Sequence, residues 1–169
     1  MKASLSPCQK KALTHLHSNK NIFLTGAAGS GKSFLLQHFL KDKNKKDFPI
    51  LASTGMAAIL INGITFHSFF GLGIMEKSVE ACVERALKNT RVLRRIRNAK
   101  QIIIDEISML PGEALAAGEA IAKKVKGSPE AWGGIRIIAV GDFAQLPPVS
   151  PGTKEKPWAF LVESTSLTQ

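Results

Sequence analysis

The stretch GAAGSGKS, Gly26 to Ser33, sets three glycines, a lysine and a serine in the spacing G-x-x-x-x-G-K-[ST]. Glycine lets the backbone wrap tightly, so the N–H groups of Gly26, Ala28, Gly29, Ser30 and Gly31 can converge on phosphate oxygens. A helix starting behind the loop would turn its positive end toward the same charge. In that arrangement Lys32 reaches the β- and γ-phosphates of a nucleotide, and Ser33 offers an oxygen to Mg²⁺. The spacing predicts a site for ATP and Mg²⁺ rather than a flexible turn.

Two further stretches carry chemistry that such a site can use. In IIIDEIS, residues 102–108, Asp105 falls at the mouth of an apolar run, where a carboxylate can hold the shell of Mg²⁺. Glu106 follows directly and can turn toward a water molecule as general base. Alone, two successive acids can equally cap a helix or hydrate a strand end; beside a phosphate loop they point to hydrolysis. In GDFAQLPPV, residues 141–149, Asp142 ends another apolar run and is expected beside the loop. Gln145 has both a donor and an acceptor, so it can sense a terminal phosphate and an attacking water. Pro147 and Pro148 stiffen the exit from that turn. The alternative is a proline-ended loop with Gln145 solvated.

The elements that must position these groups follow from the hydrophobic pattern. Strands are expected at Ile22–Leu24, in PILAST, in QIIIDE and in IRIIAVGD; the last two are continuous apolar runs of the central parallel type. Helices are expected over 5–18, over 32–39 with Phe34, Leu35 and Phe39 inward, in GMAAILI, as one long element over 78–99, and from Gly112 to about Lys126. Strands and helices alternate, which implies a mostly parallel sheet covered on both faces. Ligands of such sheets gather at the carboxyl ends of the strands, where all three motifs fall.

Composition bounds the rest. The 169 residues fit one domain, with 44% hydrophobic and 21% charged residues. A formal charge of +10 suggests an anionic partner such as nucleic acid without demanding one. Cys8 and Cys82 have no metal-ligand spacing and suit a reduced, intracellular setting. No run reaches the roughly 18 apolar residues of a membrane span, and the N-terminus lacks the apolar segment of a secretory signal. Bacterial cytoplasm is the expected location, with nucleus or mitochondrion the counterpart in a eukaryote.

Four stretches together resemble the first motor domain of the Pif1-like helicases, superfamily 1 enzymes that move 5′ to 3′: GAAGSGKS, LASTGMAAILINGITFHSFFGLG, IIIDEISML and GDFAQLPPV. The likeness runs from about Leu5 to Phe160, and STGMAA followed by GITFHSF and DEISM carries most of its specificity. It implies an α/β P-loop NTPase, a RecA-like three-layer α/β/α domain spanning 1–169. It also implies that Gln9, in LSPCQKKAL, contacts adenine and that Gln145 couples the γ-phosphate to DNA. Thr54, Gly55, Thr65, Phe66, His67 and Ser68 match the strip that lies along single-stranded DNA or a single-strand/duplex junction.

The residues themselves agree with a strip of that kind. Thr65 and Ser68 offer small hydroxyls, and backbone N–H groups near Gly55 can meet phosphates. His67 either donates to a phosphate or packs as a neutral ring. Phe66, Phe69 and Phe70 can stack bases, but consecutive aromatics cannot all face one groove, so more than one is expected in the core. The basic surface from Arg85 to Arg97 either tracks a backbone or is a solvated helix face.

The resemblance further implies a second RecA-like domain whose arginines stabilise charge on the transferring phosphate, worth about 10³- to 10⁵-fold in rate. One monomeric motor domain is therefore expected here, binding Mg-nucleotide but hydrolysing it slowly by itself. Two other readings stand beside it: a nucleotide-gated DNA-binding or assembly module, and a RecD-like or relaxase-linked helicase domain, against which GITFHSF argues.

Overall fold

The structure is a computed structural model that describes residues 4–44, 47–75 and 78–142. Helix α1 (Pro7–Leu16) opens with a capping box: the Gln9 N–H donates to the Ser6 hydroxyl, and the Ser6 N–H donates to the Gln9 side chain. Strand β1 (Ile22–Thr25) runs into the glycine loop, and α2 (Lys32–Leu40) starts directly behind it. Then come β2 (Ile50–Ala52), α3 (Gly55–Leu60), β3 (Ile64–Thr65) and α4 (Phe66–Phe70). The chain continues through α5 (Val79–Leu87), α6 (Thr90–Asn98), β4 (Gln101–Asp105), α7 (Gly112–Lys126) and β5 (Arg136–Gly141).

The five strands are parallel, in the order β1-β5-β4-β2-β3. Side chains alternate across the sheet. Ile102, Ile104, Ile137 and Ala139 join a core with α4 to α7, while Ile103, Ile138 and Val140 join one with α1 and α2. Each central strand is thus apolar on both faces, and the domain is a three-layer α/β/α sandwich.

Three local expectations change. The single helix expected over 78–99 is two, because the Asn89 side chain accepts from the N–H groups of Arg91 and Val92 and restarts the chain as an N-cap. Both pieces bury an apolar stripe against one core, so the periodicity runs on across the break. On α2 the inward residues are Leu35, Leu36 and Phe39; Phe34 is exposed. The five-residue α4 and the two-residue β3 are too short for periodicity to reveal.

Phe66, Phe69 and Phe70 are all interior. The Phe66 ring lies 4.7 Å from Phe70 and 6.4 Å from Trp132, over Gly118 of α7, where a side chain would collide with it. Among the described residues no helix is long and apolar enough to cross a membrane.

Candidate nucleotide site and the strip beside it

The carboxyl ends of the five strands line up along one edge, and the register fixes what stands beside what. Thr25 of β1 pairs with Gly141 of β5, so the first residue of the glycine loop lies next to Asp142. Ile104 pairs with Ala139, and Asp105 pairs with Ala52 of β2, whose neighbour β3 brings Thr65 alongside Ala52. From one side to the other the edge therefore carries the loop, Asp142, the acid pair, Ser53–Thr54 and Thr65. Asp142 is half-buried beside the loop, as expected. Gln145, Pro147 and Pro148 lie outside the described residues.

Within the loop, Gly29 and Gly31 adopt φ of 74° and 83°, left-handed values that favour glycine. Gly31 is also the N-cap of α2 and supplies no side-chain bond, leaving the first N–H groups of a nine-residue helix turned to the loop. The loop is close-packed. A Cβ on Gly26 would stand 2.9 Å from Ser30 Oγ, and one on Gly31 would stand 2.5 Å from Gln9 Nε2. The Lys32 ammonium donates to the carbonyls of Gly26 and Ala27, which holds it within the curl of the loop. Ala28, Gly29, Ser30 and Ser33 are exposed along the same curl.

Gln9 is brought to the loop from α1. Its Nε2 donates to the Ser30 carbonyl at 3.2 Å while its Oε1 accepts from Ser6. The expectation from the sequence placed Gln9 against adenine. The clamp onto the loop has no local signal, because its two ends are 21 residues apart.

Asp105 is the last residue of β4 and only 8% exposed. Burial pushes its carboxyl above the ordinary range, and the Glu106 charge adds to this; the Glu106 N–H and the Lys32 charge pull it back. The loop lysine thus acts on Asp105 across the intervening β5, though less than burial does. Glu106 is half-buried at φ 51° and ψ 45°, a conformation few non-glycine residues adopt. Gly141 lies against the turn that follows, with a would-be Cβ 3.1 Å from Ile107.

A nucleotide with Mg²⁺ fits these residues. The loop offers N–H donors and an ammonium, and the acid turn offers one buried carboxylate and one half-buried one. Among the described residues no cluster of three or more His, Cys, Asp or Glu could hold a metal alone. Mg²⁺ is commonly held by one or two carboxylates together with substrate phosphates, and Asp105 and Glu106 supply the carboxylate part of that set.

Beyond the acid pair, Thr54 caps α3 by accepting from the Ala57 N–H at 3.2 Å, and Thr65 caps α4 by accepting from the Ser68 N–H at 3.1 Å. A hydroxyl that accepts keeps its own proton to donate. Gly55 and Ser68 are exposed, and His67 is half-buried with its ring 6.4 Å from Phe66. Phe66 is fully buried, so its place in the strip is corrected: it supports α4 from beneath and has no face for a base. Two residues that the sequence did not single out complete this edge. Ser53 Oγ lies 3.7 Å from Met109 Sδ, joining the end of β2 to the acid turn, and Ser108 is buried in that turn.

Fold and site together define a P-loop NTPase of the RecA-like kind. The chain belongs to the PIF1-like helicase family, whose model matches residues 4–169. It is 56% identical over 157 residues to the ATP-dependent DNA helicase Pif1 of Bdellovibrio bacteriovorus, covering 93% of this chain and 36% of that protein. The zebrafish (Danio rerio) helicase of the same name is 44% identical over 160 residues, covering 95% of this chain and 25% of that one.

Among solved structures, Pif1 helicase from Candida albicans superposes with a TM-score of 0.87 at 40% identity, over 96% of this chain and 37% of that one. Bacteroides Pif1 in complex with ADP-AlF3 and ssDNA superposes at 0.74 and 30%, over 89% and 35%. This chain thus spans between a quarter and just over a third of these relatives.

Proposed function

We propose that this chain is the ATP-binding motor domain of a 5′-to-3′ DNA helicase. The observation that carries the reading is the strand register, which sets the phosphate loop after β1, Asp142 after β5 and Asp105 at the end of β4 along one edge, where the hydroxyl strip also lies. The loop N–H groups and Lys32 bind and orient the phosphates of ATP. Ser33 and Asp105 would hold Mg²⁺, which neutralises charge on those phosphates when bound. Glu106 orients a water and takes its proton. Gln145 couples the terminal phosphate to DNA. Thr54, Gly55, Thr65, His67 and Ser68 contact the backbone of single-stranded DNA, alone or at a junction with duplex, and Gln9 contacts adenine.

The two relatives described above are ATP-dependent DNA helicases, and one solved relative holds ADP-AlF3 and ssDNA, which supports the reading. We assign residues 1–169 to one RecA-like unit that works with a second RecA-like domain supplying arginine to the same nucleotide. Single-turnover ATP hydrolysis, with and without single-stranded DNA, tests the assignment against a Glu106→Gln variant. DNA-stimulated turnover that Glu106→Gln abolishes is the expected result. Equal and negligible turnover in both proteins, when each is supplied with the second domain and binds DNA tightly, would leave a nucleotide-gated DNA-binding module.

A further inference from the structure

A cleft of about 1240 Å³ opens at the other edge of the sheet, where β2, β3 and β4 begin, away from the phosphate loop. Among the described residues six cations line it, Arg91, Arg94, Arg95, Arg97, Lys100 and Lys126, against the single carboxylate of Asp47. Helix α6 supplies four of them and contains no acidic residue, whereas the neighbouring α5 interleaves Glu80 and Glu84 with Arg85. Val92 and Ile96 bury the opposite face of α6, so the arginines are committed to the cleft side.

Two of the cations build the walls. Lys126 donates to the carbonyls of Arg97 and Ala99, closing the carboxyl end of α6. Arg95 donates to the Ser68 carbonyl at 2.9 Å and lies over the Phe69 ring. Burial, and then the charge of Arg91, both lower its pKa. Arg91, Arg94, Arg97 and Lys100 are exposed, and no carboxylate bridges them among the described residues. An adjoining cavity of about 440 Å³ carries Lys100, Arg136 and Gln101. The Gln101 Nε2 is buried without a partner there, one more unspent donor.

Like charges on one helix face repel, and an ordinary solvated face mixes signs. A concave, donor-rich surface of this kind is matched by a polyanion. Its aromatic residues present no stacking platform, since Phe69 is buried and Lys43 lies over Phe48. Recognition would therefore be by phosphate and independent of base. The Arg95–Ser68 bond joins α6 directly to the hydroxyl strip. We propose that this cleft binds the phosphodiester backbone of a nucleic acid, a second contact surface on the domain that extends the path beginning at Thr65 and Ser68. This rests on the DNA reading of the strip for the identity of the polyanion.

The test is fluorescence anisotropy of the 169-residue chain with a labelled single strand and a labelled duplex, titrated over NaCl concentration. The triple variant Arg91→Gln/Arg94→Gln/Arg97→Gln is compared with Lys10→Gln/Lys11→Gln/Lys41→Gln, which loses the same charge from exposed lysines elsewhere. The cleft variant is expected to lose about tenfold or more in affinity near 0.1 M salt, and about 2 to 3 from the slope of log K against log salt. The nucleic-acid form that loses more is the natural occupant. Should the triple variant fold poorly, Arg94→Gln alone is expected to lower the slope by about 1.

Equal behaviour of the cleft and control variants would overturn the proposal. So would a cleft variant that loses polyglutamate binding but keeps DNA, which would mark an acidic protein partner instead. A Thr65→Val/Ser68→Ala variant separates the two readings. Loss there with none in the cleft variant sinks this inference alone; loss in the cleft with none there sinks the strip and leaves the cleft.

Discussion

Gln9 and Ser30, 21 residues apart, are joined by a 3.2 Å hydrogen bond from the Gln9 amide to the Ser30 carbonyl. The same side chain closes the capping box of α1, so one residue ties the start of the first helix to the curvature of the phosphate loop. Gln9→Glu keeps the acceptor for Ser6, loses the donor to Ser30 and brings negative charge toward bound phosphates. It is expected to weaken nucleotide binding by more than tenfold, while Gln9→Ala weakens it severalfold. Ser6→Ala should cost about 1 kcal/mol of stability with nucleotide affinity held. Isothermal titration with ATP and urea unfolding read the two effects; equal affinities in Gln9→Glu and Ser6→Ala would refute the clamp.

Asp105 is a buried carboxyl whose pKa lies above the ordinary 3.8. A group raised in this way favours the folded state when protonated, and that contribution is lost as pH rises from the unfolded value through the folded one. At neutral pH the charge is a burden on the fold. Asp105→Asn is therefore expected to stabilise the domain by about 0.5–2 kcal/mol at pH 7 while abolishing Mg²⁺-dependent hydrolysis. Its advantage should shrink as pH falls toward 4. Thermal melts across that window would expose the opposite sign.

Gly118 has no room for a side chain, because a Cβ there would stand 2.6 Å from Phe66 Cζ and 3.3 Å from Phe70 Cδ2. Alanine gains about 1 kcal/mol in helix propensity, but overpacking a full core costs about 1–3 kcal/mol. Gly118→Ala is expected to destabilise the fold overall. Adding Phe66→Leu should recover part of that loss, giving a favourable coupling in a double-mutant cycle. Strict additivity would show that the two sites do not meet.

Thr65 holds α4 through its hydroxyl oxygen and keeps its own proton to donate. Thr65→Ser preserves both functions and should bind single-stranded DNA within about twofold of the parent. Thr65→Val loses the cap, at about 1 kcal/mol, together with the donor. DNA affinity should then fall severalfold by anisotropy. A valine variant that is destabilised yet binds DNA normally would confine Thr65 to a structural role.

The chemistry of this protein was legible wherever it is local. A phosphate loop works through consecutive backbone N–H groups, so the spacing from Gly26 to Ser33 and a helix starting at Lys32 are enough to recognise it. Apolar runs ending in Asp105 and Gly141–Asp142 likewise declare central parallel strands by composition alone. Alternation of the elements then announces a layered α/β domain.

What the chain could not announce is which distant residues meet. Strand order β1-β5-β4-β2-β3 arises from crossover connections, and only that order sets the acid turn near the loop, with β5 alone between them. Phe66 reads as a stacking ring until Gly118 and Trp132, more than 50 residues downstream, close over it. The arginines of α6 read equally as a backbone track or a solvated face until the starts of β2 and β3 wall them into a cleft. Motifs are short-range chemistry and survive in one dimension. Burial and facing depend on partners brought together by packing, so the tertiary structure alone decides them.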